Sequence, residues 1–68
     1  MSDAGRLNAI TARFRDAGME LRLHEPMPGA WEAIWHPPDA PAGARTAAGP
    51  TMAAAAEAAL AALEDGPA

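Results

Sequence analysis

The amino-acid sequence predicts a single α+β domain of order α-β-β-(β)-α, spanning 1–68, in which an antiparallel sheet of two or three strands carries two helices packed on one face. Three observations predict it: an apolar stripe at helical spacing ahead of Gly18, strict alternation directly after it, and a capped alanine-rich block from Met52 onward.

Leu7, Ile10, Phe14 and Ala17 recur at helical spacing with Thr11 on the same stripe, while Arg6, Arg13, Arg15 and Asp16 fill the rest of the wheel. Ser2 or Asp3 can cap this helix and Gly18 offers the left-handed stop, so it spans 3–17. Met19, Leu21 and Leu23 then alternate with Glu20, Arg22 and His24, the period of a strand over 19–24 with one buried face. Pro26 and Pro28 interrupt any paired ladder, which makes Glu25 to Gly29 a turn.

A second strand over 30–36 puts Trp31, Ala33 and Trp35 on one face and Glu32, Ile34 and His36 on the other. Pairing Leu23 with Trp31, Leu21 with Ala33 and Met19 with Trp35 keeps the apolar sets together and sets Arg22 opposite Glu32. The connection over 37–50 opens with three prolines, Pro37, Pro38 and Pro41, and its stretch 44–48 suits either a short third strand or a mobile segment. Thr51 caps a helix over 52–64, closed by Gly66-Pro67. Its inner stripe is Met52, Ala55, Ala56, Ala59, Leu60 and Leu63, with Glu57 and Glu64 outside. The expected core is Leu7, Ile10, Phe14, Leu21, Leu23, Trp31, Trp35, Leu60 and Leu63.

Composition bounds what such a domain can be. Half of the 68 residues are hydrophobic, but 20 of those are alanine and only 14 are larger. A core this small makes a short chain marginal alone and favours a partner or self-association. Nine acidic residues against five arginines, for a net charge of −4, disfavour a phosphate-tracking surface. No apolar run reaches membrane-spanning length and the first residues lack the blocks of a signal peptide, so the expected location is the cytoplasm. The Ala, Arg, Gly and Pro bias without lysine suggests a GC-rich bacterial genome.

Candidate chemistry is sparse. His24 and His36 are the only imidazoles, near Glu25 and Asp39, whereas a metal site needs three or four convergent ligands. Cysteine and tyrosine are absent, the single serine is Ser2, and no glycine-rich loop cradles a phosphate. Neither catalytic residues, nor a metal, nor a cofactor are therefore expected. The outer strand face, with Glu20, Arg22, Glu32, Ile34 and His36, is the expected interaction surface, and Ile34 or an unpaired strand edge is the expected centre of a homodimer. Arg6, Arg13 and Arg15, with Arg22 following, form a modest basic cluster that reads as a solvated face or a contact for an acidic partner.

From Glu20 to the end of the second helix the chain resembles the HicB-type antitoxin domain. The resemblance lies in Glu25-Pro26 with Pro28-Gly29, then Trp31, then Pro38-Asp39-Ala40-Pro41-Ala42-Gly43, and finally Gly49-Pro50-Thr51 with Ala54, Ala58 and Leu60. It implies a partial RNase-H-like sheet without catalytic residues that neutralises a small ribonuclease toxin by direct binding. The first helix and the missing last strand depart from that pattern. The complete element order also resembles a double-stranded RNA-binding domain, but Thr51, Met52 and four alanines stand where such domains carry a basic helix start. The expectation is a non-catalytic protein-interaction module, with duplex RNA binding or an accessory role to a larger enzyme as the rival readings.

Overall fold

The computed structural model describes residues 3–65. Its element order is α1 (Asp3–Asp16), β1 (Glu20–Met27), β2 (Ala30–His36), a 3-10 turn (Pro41–Gly43), β3 (Arg45–Gly49) and α2 (Met52–Asp65). The three strands form one antiparallel sheet in the order β1-β2-β3. The expected α+β class holds, and the sheet has three strands. Of the two cap candidates, Ser2 lies outside the described residues, as does the Gly66-Pro67 stop, and Asp3 is the first residue of α1.

Helix α1 ends through its own backbone. Gly18 adopts φ +76°, Gly18 N–H donates to the Arg15 carbonyl at 3.0 Å, and Met19 N–H donates to the Phe14 carbonyl at 2.9 Å. These are the two bonds of a Schellman stop, which satisfies carbonyls that the helix leaves open and turns the chain into β1. Ala17, placed on the buried stripe by its spacing, is exposed. It falls on the turn where the chain leaves the helix.

The hairpin differs from expectation in two linked ways. Strand β1 runs through Pro26 to Met27, and the register pairs Leu21 with Trp35, Leu23 with Ala33, Arg22 with Ile34 and His24 with Glu32. Every partner is thus displaced by two residues from the expected one, so Arg22 does not face Glu32. The connection is the two-residue turn Pro28-Gly29, with Gly29 at φ +77°, instead of a five-residue loop. Proline followed by a positive-φ glycine suits such a turn, and Glu25 closes it by accepting a hydrogen bond from Gly29 N–H at 3.0 Å. Pro26 is tolerated because β1 is an edge strand and its pairing shifts between His24 and Met27. A displacement of two preserves parity, so both faces keep their expected residues.

Both helices pack on the face that carries Ala33 and Trp35. Ile10, Phe14, Ala33, Trp35, Ala55, Ala56 and Ala59 are buried, and Leu7, Met19, Leu21, Leu23, Trp31, Leu60 and Leu63 are partly buried against them. The Phe14 and Trp35 rings meet edge to face with centroids 5.7 Å apart, a geometry that the aromatic quadrupole favours. Thr51 Oγ1 accepts from Ala54 N–H at 3.0 Å, the expected cap of α2. Met52, expected on the inner stripe, is exposed in the first turn.

The two helices run parallel. Arg6 binds Glu57, with Nη2 to Oε1 at 2.7 Å, and Arg13 binds Glu64, so a step of seven residues along α1 matches a step of seven along α2. A seven-residue step is nearly two helical turns, which holds both pairs on the seam between the helices.

Candidate functional site

With both helices on one side, the opposite face of the sheet is uncovered. Three cross-strand rows build it. The first pairs Glu20 with His36, the second sets Arg22, Ile34 and Thr46 side by side, and the third does the same for His24, Glu32 and Ala48. All five expected interaction residues, Glu20, Arg22, Glu32, Ile34 and His36, therefore lie on this one face. Strand pleating puts them there, because each alternates with a core residue.

At each end of the face a histidine stands beside a glutamate. His24 Nε2 lies 2.7 Å from Glu32 Oε1, and His36 Nε2 lies 3.9 Å from Glu20 Oε2. His36 Nδ1 sits 2.7 Å from the Pro37 carbonyl, which can only accept, so that nitrogen carries the proton. The two histidines stand at opposite ends of the hairpin. Ile34 is only partly exposed at the centre, flanked by Arg22 and Thr46. Among the described residues no carboxylate lies within ion-pair distance of Arg22, so the middle row presents a free guanidinium beside an apolar side chain.

The basic cluster on α1 is not the free surface its sequence suggests. Arg6 and Arg13 are committed to Glu57 and Glu64 on α2, which leaves Arg15 as the α1 arginine without an ion pair among the described residues. The reason is packing, since the seam between parallel helices brings the two charge series together. Arginines and glutamates at matching seven-residue spacing were the available signal.

A half-open cleft of about 190 Å³ lies where the C-terminal end of α2 meets the start of β3, lined mainly by Met19, Trp35, Pro37, Arg45 and Leu63. The Arg45 guanidinium sits 5.6 Å from the Trp35 ring centroid, a cation–π contact that closes one side of it. Among the described residues no three His, Asp or Glu side chains gather to hold a metal ion, and no helix is long and apolar enough to cross a membrane.

The fold and face define a small α+β domain with a one-sided core and an open, mixed-charge sheet surface. In comparisons with known proteins, no family model, no curated protein and no solved structure matches the chain.

Proposed function

We propose that the protein is a non-catalytic protein-interaction module, resembling a minimal HicB-type antitoxin or adaptor, that holds a small basic protein on its uncovered sheet face. The observation that carries this reading is the arrangement of the outer face, where Ile34 lies between Arg22 and Thr46 and the Glu20–His36 and His24–Glu32 rows flank it. An apolar centre with a charged rim is the anatomy of a docking surface. Charge supports a basic partner: the chain carries −4 overall, and the two seam pairs, each an arginine with a glutamate, leave that surplus unchanged. Acidic surplus of this kind steers basic proteins and repels phosphate backbones.

The duplex-RNA reading keeps the element order but meets a helix α2 with no basic residue in its first turn, where Met52 to Ala55 stand. Two measurements separate the readings. Titration calorimetry against the basic product of an adjacent reading frame is expected to show binding that Ile34→Glu weakens at least tenfold. Binding unaffected by Ile34→Glu, or a low-salt gel shift of duplex RNA at micromolar protein, would defeat the proposal.

A further inference from the structure

We infer that the protein self-associates through the β3 edge, two copies joining β3 to β3 antiparallel into one six-stranded sheet with the α2 helices side by side above the junction. This goes beyond the partner reading and does not depend on it, because the outer face stays open in both copies.

The two sheet edges are guarded differently. On β1 the bulge between His24 and Met27, Pro26, and the charges of Glu20, Arg22 and Glu25 obstruct any added strand. On β3 the sequence Arg45-Thr46-Ala47-Ala48-Gly49 has no proline, one charge at its start and small side chains along the rest. Strand β3 pairs with β2 on one side only. A two-fold axis at Ala47 would set Arg45 opposite the second copy's Gly49 and Thr46 opposite its Ala48. The one long side chain, Arg45, faces a glycine, and the other opposed pairs are small, so the register meets no clash of bulky side chains.

Helix α2 fits the same geometry. It packs over β3 and β2, while α1 lies toward β1. At about 100° per residue, Ala54, Ala58 and Ala62 fall on the flank of α2 turned away from α1, and Asp65 ends that flank. With strands about 4.8 Å apart, a helix centred between β2 and β3 would stand roughly 10 Å from its symmetry mate. Helix axes pack at about 8–10 Å, and alanine flanks permit the close end of that range.

Charge supplies the third argument. Helix α2 has no acidic residue in its first turn and no basic residue in its last, where Glu64 and Asp65 instead place negative charge at the negative end of its dipole. Glu64 is compensated by Arg13, but Asp65 has no ion-pair partner among the described residues. An antiparallel neighbouring α2 brings its N-terminal end to Asp65, once from each copy. The contact combines one five-residue strand with one helix flank, at the small end of specific interfaces, so dissociation belongs in the micromolar range.

Sedimentation equilibrium of the full chain from low to several hundred micromolar is expected to show a monomer–dimer equilibrium. The Ala58→Glu variant, which sets two carboxylates face to face across the axis, is expected to remain monomeric with an unchanged far-UV spectrum. Asp65→Lys, on an exposed side chain remote from the core, is expected to weaken dimerisation several-fold and keeps the test available should Ala58→Glu not fold. Amide exchange in 45–49 is expected to slow as concentration rises. A monomer at several hundred micromolar would overturn the inference, as would a dimer that resists both variants or one abolished instead by Ile34→Glu.

Discussion

Gly49 closes β3 under the first turn of α2, and a Cβ there would lie 2.7 Å from Ala55 N and 2.9 Å from the Ala54 Cβ. Backbone atoms cannot yield cheaply, so Gly49→Ala is expected to cost about 1–3 kcal/mol in urea unfolding, as other overpacked sites do. Gly43→Ala is the control, because a Cβ at Gly43 meets nothing within 4 Å and its φ is not positive. It is expected to leave the midpoint unchanged or raise it slightly. The sequence marked Gly49 only as the start of a Gly-Pro-Thr cap. That α2 descends onto this residue depends on a contact between elements, which local spacing does not encode. Gly18 was legible, since a glycine after a helical stripe calls for a left-handed stop whatever packs around it.

At the scale of elements, periodicity recovered both helices, both hairpin strands and the parity of each strand face, because side-chain direction follows from backbone geometry alone. Register was not recovered. It depends on whether Pro26 sits in the loop or in a bulged edge strand, and the Glu25 carboxylate that closes the turn at Gly29 N–H decides for the latter. The arginines of α1 show the same limit: on one helix they are a basic face, but beside α2 they are half of a seam. Both ion pairs are substantially exposed, so each should contribute little. A double-mutant cycle on Arg13 and Glu64 is expected to give a coupling of about 0.2–1 kcal/mol that shrinks in high salt. A coupling well above that range would show the seam to be drier than its exposure indicates. The open outer face was legible as a set of residues, whereas the pairing of His24 with Glu32 and the cleft beside Arg45 required the assembled sheet and loop.

At the scale of the whole molecule, the large side chains fully buried among the described residues are Trp35, Phe14 and Ile10, and the rest of the buried core is alanine: Ala33, Ala55, Ala56 and Ala59. Removing one of the three should therefore be felt globally. Phe14→Ala also removes the ring contact with Trp35, and a cost of about 3–5 kcal/mol is expected. Small single-core domains rarely hold more than about 3–5 kcal/mol, so thermal unfolding monitored by circular dichroism should show that variant largely unfolded at room temperature. A cooperative transition near the parent midpoint would mean that the core repacks around the loss. The alanines that looked like a shortage of core are what let α2 lie close against β3, and an uncovered sheet face is the consequence of having only two helices to cover it. By itself the sequence determined the element types, the Gly18 stop, the Thr51 cap and which strand side chains share a face, because those follow from periods of 3.6 and 2 and from residues that carry their own turn preferences. The tertiary structure decided the register, the third strand, the parallel helix seam and the open edge, because each depends on how far apart two distant segments come to rest.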